Sequence, residues 1–134
     1  MEFEELYERA KAVLAPRRLS PWAESGGVGA AILTKDGSVY LGVCIDTACS
    51  MGFCAEHAAA AAMITAGEQV IDKIVAVNWD GKVLPPCGRC REFLSQLAEE
   101  NRNARVLVKE GVVVTLEQLL PWDWREAADN DVQS

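Results

Sequence analysis

The chain predicts an α/β domain in which helices pack on one sheet. Three observations carry this. Segments with helical spacing of apolar residues alternate with short, continuous apolar runs of strand length. The prolines and the pairs Asp36-Gly37, Asp80-Gly81 and Glu110-Gly111 fall between those segments, where turns belong. Half of the 134 residues are hydrophobic, enough for one core and one domain.

Each element follows from its own pattern. Phe3, Leu6, Tyr7, Ala10, Val13 and Leu14 recur at helical spacing, so residues 2–15 read as an amphipathic helix closed by Pro16. Residues 16–26 read as a loop of proline, serine and glycine. The apolar runs 28–34 and 39–45, joined by Lys35-Asp36-Gly37-Ser38, read as a hairpin. Residues 54–66 are alanine-rich and helical up to Gly67. A buried strand is expected over 71–79, a loop over 80–86 and a helix over 87–100. Short strands follow at 105–109 and 112–114, then a helical turn over 115–120 before Pro121. Residues 1–125 thus form a single domain, and 126–134 a polar, loose tail.

Charge narrows the partners. Twenty acidic against 13 basic side chains leave a net charge of −7. Such a surface repels phosphate backbones, so no nucleic-acid polymer is expected as partner. A small uncharged nucleoside is not excluded. No run reaches the roughly 18 apolar residues of a membrane span, and the acidic start Met1-Glu2-Phe3-Glu4-Glu5 does not resemble a signal peptide. Cys44, Cys49, Cys54, Cys87 and Cys90 make an odd set, which reads as reduced thiols in a cytoplasmic protein, used for metal or catalysis.

Two motifs concentrate the chemistry: Cys54-Ala55-Glu56-His57 and Pro86-Cys87-Gly88-Arg89-Cys90-Arg91, each opening a predicted helix. Cys87 and Cys90, one turn apart, project to one side. A helix N-terminus lowers thiol pKa values and favours metal binding. Cys54, Cys87 and Cys90 are soft donors suited to one Zn²⁺ per chain, and three protein ligands leave a fourth position for water. Zinc brings the pKa of such a water toward about 7. Glu56 lies in the same helical turn as Cys54 and can carry protons between water, a ring nitrogen and a departing amine. Two other readings stay open. Cys87 and Cys90 alone form a redox-type Cys-x-x-Cys. Cys54, His57, Cys87 and Cys90 together form, on paper, a closed four-ligand structural zinc site in a non-catalytic, zinc-stabilised binding protein. Against the latter, His57 and Cys87 lie 30 positions apart, longer than finger spacing.

Cys-Ala-Glu followed by Pro-Cys-Gly-x-Cys-Arg resembles the cytidine deaminase superfamily, close to nucleoside and blasticidin-S deaminases. The resemblance runs from the first helix through Val28-Gly29-Ala30-Ala31 to Leu119-Leu120-Pro121. It implies a three-layer α/β/α sandwich around one mixed sheet, with zinc between two helix N-termini. It also implies hydrolytic deamination of a cytidine-like nucleoside or related aminopyrimidine, with the backbone N–H groups of Ala55 and Cys87 helping to hold the ring. A homo-oligomer is implied, a tetramer ahead of a dimer, and the smooth run Ala58 to Ala62 allows close subunit approach. An editing deaminase acting on RNA or DNA runs against the acidic charge.

The departures from the family pattern are specific. Where these deaminases usually carry Asn-x-Glu for the ribose, this chain has Cys44-Ile45-Asp46. The usual aromatic before Val-Gly-Ala-Ala aligns with Gly26, and Trp22 is the candidate to replace its ring. Trp122 or Trp124 is a candidate for the pocket edge. His57 stands where nucleoside deaminases place arginine. His57 and Arg91 are expected to donate hydrogen bonds to the zinc thiolates and draw charge from them.

Overall fold

A computed structural model describes residues 1–126. In chain order the elements are α1 (Phe3–Ala12), β1 (Arg17–Ser20), β2 (Ala23–Thr34), β3 (Val39–Thr47), α2 (Ala55–Thr65), β4 (Ile71–Asn78), β5 (Val83–Leu84), α3 (Gly88–Gln96), β6 (Arg105–Lys109) and β7 (Val112–Thr115). Short 3₁₀ turns cover Ala48–Ser50, Glu99–Asn103 and Glu117–Leu119. The seven strands form one mixed sheet. β2 carries β3 on one edge, and β1 and β4 one after the other on the opposite edge. β4 continues to β5 and β6, and β6 to β7. Only β4 and β6 run parallel.

Alternation along the strands divides the core into two layers. Ala30, Ile32, Ile74, Ala76 and Val106 face one way and pack with Ala59, Ala60 and Met63 of α2 and Leu94 of α3. Ala31, Leu33, Val75, Val77 and Leu107 face the other way, onto Leu6 and Ala10 of α1. The result is the expected three-layer sandwich, α1 on one face and α2 with α3 on the other.

Two glycines permit the close approach of helices to sheet. A Cβ on Gly42 in β3 would lie 2.3 Å from the Ala59 nitrogen and 2.7 Å from the Ala55 oxygen. One on Gly29 in β2 would lie 2.4 Å from the Ala10 oxygen of α1. Small side chains on α2 complete the first contact, so the helix axis sits low over the β3 backbone.

The sequence reading differs from the structure at its margins. Residues 16–26, expected as loop, include β1 and the start of β2. Exposed Arg17, Arg18 and Leu19 show no apolar alternation, and the pairing is carried by backbone. β5 sits inside the expected 80–86 loop. α1 closes at Ala12 because the Val13 and Leu14 N–H groups turn back to the Ala10 and Lys11 carbonyls. α3 stops at Gln96 rather than residue 100. Buried Asn101 explains this, donating from Nδ2 to the Leu94 and Gln69 oxygens and accepting from the Ile71 N–H at 2.8 Å. The Leu94 carbonyl thus bonds a side chain from the next turn. The tail expected at 126–134 lies, apart from Glu126, outside the described residues. Among the described residues no helix is long and apolar enough to cross a membrane.

Candidate active site

β3 and β4 are both antiparallel to β2, so they point the same way. α2 follows β3, and α3 follows β4 after the short return strand β5. The N-termini of α2 and α3 therefore meet at one end of the sheet. Cys54 is the N-cap of α2 and Cys87 that of α3, both with extended backbone. Cys90 is in the first turn of α3 and is fully buried.

This geometry gathers three thiols. Cys54 Sγ and Cys87 Sγ are 3.6 Å apart, and so are Cys87 Sγ and Cys90 Sγ. Cys54 and Cys90 lie within 4.8 Å of each other. Ligand atoms of a tetrahedral Zn–S site with bonds of about 2.3 Å stand about 3.8 Å apart, so the donor set fits zinc. His57 Nδ1 lies 3.4 Å from Cys90 Sγ, and a ring nitrogen of His57 stands within 4.8 Å of the Cys54 and Cys90 sulfurs, so these three side chains could also share a metal ion. The His57 ring stacks on Phe93, with centroids 4.2 Å apart and planes 13° from parallel.

Burial and neighbouring charge set the proton affinities. Burial pushes the Cys90 thiol far up, and the Glu56 negative charge adds to it. Burial also raises Cys54. At Cys87 burial acts upward too, but hydrogen bonds from the Cys90 backbone and from neighbouring sulfurs outweigh it and bring the thiol down. Glu56, only 5% exposed, is raised by burial against the opposing pull of its own backbone N–H. His57 is lowered, first by burial and then by the positive charge of Arg89. A divalent cation among the sulfurs would reverse their preference and hold them as thiolates.

The thiols open onto a cleft of about 660 Å³. Cys54, Ala55, Glu56 and Cys87 form its floor, and Cys44 and Asp46 of β3 form part of its wall. Cys90 and His57 are not among the residues that line it. Cys44 Sγ accepts from the Val28 N–H at 3.3 Å and stands 3.9 Å from Asp46 Oδ2. The buried Thr47 hydroxyl in the same wall has no hydrogen-bond partner among the described residues. A register shift in β2 between Ser25 and Gly29 bends the strand at the cleft and aims Gly27 and Val28 into it.

Two sequence expectations are corrected here. Arg91 does not reach a thiolate: Nε donates to the Pro86 oxygen at 2.8 Å and Nη1 to the Leu119 oxygen. It braces the turn before Cys87 because its side chain leaves α3 on the side of that turn. The cleft aromatics are Trp79 and Phe53, not Trp22. Trp79 lies at the end of β4, is 65% exposed and crosses the cleft toward Gly27. Trp22, 71% exposed, follows β1 outside the cleft; Trp122 and Trp124 lie outside it as well. Phe53 and Arg89, also in the cleft wall, drew no attention in the sequence. Arg89 sits between the two cysteines of its motif, which was the available signal; Trp79 and Phe53 had none.

Comparison with known proteins agrees with this geometry. Residues 3–105 match the family described as the cytidine and deoxycytidylate deaminase zinc-binding region. A cytidine deaminase of Halalkalibacterium halodurans is 33% identical over 108 residues, which are 78% of this chain and 81% of that protein. A blasticidin-S deaminase of Bacillus cereus is 34% identical over 106 residues, 70% of this chain and 74% of its own. The crystal structure of cytidine deaminase from Mycobacterium leprae superposes with a TM-score of 0.76 at 27% identity, covering 90% of this chain and 98% of that one. With two cysteine-capped helices converging on a buried glutamate, and with this likeness across most of its length, the chain belongs to the cytidine and deoxycytidylate deaminase family and is a zinc-dependent hydrolytic deaminase.

Proposed function

We propose that the enzyme converts a cytidine-like nucleoside or related aminopyrimidine to its oxo form and releases ammonia. One observation carries this reading: buried Glu56 shares the cleft floor with Cys54 and Cys87. Cys54, Cys87 and Cys90 would hold the zinc, which would supply a Lewis acid for activating water. Glu56 takes one water proton on its carboxylate and gives it to the ring nitrogen; it then takes the second from the hydroxyl left on the ring carbon and passes it to the amine, which departs as ammonia while that carbon becomes the oxo group. Its raised proton affinity suits both the basic and the acidic half of that cycle. Ala55 and the Cys87 N–H group orient the ring, with Trp79 offering an aromatic face beside it.

Sugar recognition is reduced. Cys44 is occupied by Val28 and is a poor partner for a hydroxyl, which leaves Asp46 as the anchoring acceptor. The substrate thus includes analogues without an ordinary ribose, and a blasticidin-S-type substrate is the second reading, supported by the Bacillus cereus relative. Ala58, Ala61, Ala62 and Ile64 leave the outer face of α2 without a charge. A helix apolar all round belongs in an interior, which supports a homo-oligomer, a tetramer ahead of a dimer. The five cysteines are free, which suits the reducing cytoplasm.

The test is ammonia release by zinc-loaded protein offered cytidine, deoxycytidine, cytosine, modified cytosines and blasticidin S. Release from at least one is expected, and Glu56→Gln should keep its zinc while losing roughly 10²- to 10⁴-fold in turnover. Full zinc content with no release from any compound would favour a non-catalytic zinc-stabilised protein, with His57 as fourth ligand.

A further inference from the structure

We propose that Phe93 is a positioning residue for the metal site: it holds the His57 ring so that Nδ1–H donates to the Cys90 sulfur and His57 is kept from serving as a ligand. The inference rests on the reading of Cys54, Cys87 and Cys90 as zinc ligands, and extends it to what orients them.

Spacing brings the three groups together. Phe93 is three residues after Cys90 on α3, so both project from one face of that helix. His57 is three residues after Cys54, in the first turn of α2. Its imidazole enters between Cys90 and Phe93, with Nδ1 3.4 Å from Cys90 Sγ and its face 4.2 Å from the Phe93 ring centroid. Near-parallel stacking at 13° fixes the plane of the imidazole. Turning the ring out of that plane would carry Nδ1 away from the Cys90 sulfur and break the stack together.

Protonation at Nδ1 separates the roles. A ring nitrogen that carries hydrogen has no lone pair to offer a metal, but it can donate to a thiolate and withdraw charge from it. Phe93 has no donor or acceptor, so its contribution is orientation alone. Within the described residues nothing else stacks on the imidazole.

His57 is the single histidine of the chain, so one ¹⁵N spectrum of the imidazole reports its tautomer without overlap. We expect the zinc-loaded protein to show protonated Nδ1 and bare Nε2, and Phe93→Leu to shift toward the Nε2–H tautomer that a free histidine side chain prefers. In parallel, chelator competition should show zinc affinity weakened by roughly 10- to 100-fold in both Phe93→Leu and His57→Ala. The double variant should be no weaker than either single one, and Phe93→Tyr should restore tautomer and affinity. Should Phe93→Leu not fold, Phe93→Met serves as the variant. A metal-bound Nδ1 in the unaltered protein would overturn the proposal. So would Phe93→Leu with unchanged tautomer and affinity while His57→Ala is weakened. Failure of the unaltered protein to take up zinc is a separate result, which would remove the zinc assignment itself.

Discussion

Single side chains in this protein act through what burial and neighbours do to their protons. Glu56 is the functional case, and Glu68 after α2 is a structural one. Its carboxylate accepts from the Tyr40 hydroxyl and, at 2.7 Å, from Thr34 Oγ1. The Tyr40 bond holds Glu68 below its ordinary 4.5, and the same bond raises Tyr40 above its ordinary 10.0. The two shifts agree in sign. A depressed carboxylate contributes stability above its unfolded pKa and loses it as pH falls; a raised phenol contributes below its unfolded pKa and loses it as pH rises. Tyr40→Phe should therefore lower the melting temperature most between roughly pH 5 and pH 9, with the gap to the unaltered protein narrowing at both extremes. A gap constant from pH 4 to pH 10 would assign the loss to packing instead. The gathering of Cys54, Cys87 and Cys90 was legible in sequence because both cysteine motifs open helices. Trp79 was not, because its approach to the cleft depends on the irregular stretch of β2 opposite it, and no local pattern announces that contact.

At the scale of elements, the site depends on how closely α2 lies on β3. A methyl group on Gly42 meets backbone, not a flexible side-chain end: 2.3 Å to the Ala59 nitrogen and 2.7 Å to the Ala55 oxygen. Relief requires moving the helix whose first turn carries Cys54, Ala55 and Glu56. Gly42→Ala should cost at least about 1–3 kcal/mol, the usual range for overpacking, read from urea unfolding, and should weaken zinc retention as well. Unchanged stability and zinc content would mean that α2 has slack the structure does not show. α1 was readable from its helical period, α2 from its alanine run closed by Gly67, and β3 and β4 from continuous apolar runs of strand length. β1 and β5 were not: their pairing is made by backbone at exposed or two-residue stretches, where side chains carry no alternation. The end of α3 was hidden for another reason, since Asn101 terminates it by a contact that exists only once β4 is in place.

For the molecule as a whole, an α/β domain around one sheet was implied by the alternation of helical and strand segments, its three layers by the family resemblance, and the site by where two of those helices begin. The single parallel pairing has a kinetic consequence. β4 and β6 meet with Lys73 opposite Arg105 and Ile74 opposite Val106, so the crossover through α3 must be laid on the sheet before that ladder can close. The β2–β3 and β6–β7 hairpins need no such closure. Cys87 and Cys90 ride on the crossover and Cys54 does not, so the sulfurs remain apart until this late docking. A metal that needs all three cannot guide the rate-limiting step from the unfolded side; it can only delay departure from the native state. Chevron plots taken with and without zinc should overlay on the refolding limb, while zinc lowers the unfolding limb. Zinc-accelerated refolding would show that α2 and α3 meet before the sheet is complete. On the expected behaviour, the ion that serves catalysis also sets the lifetime of the folded enzyme.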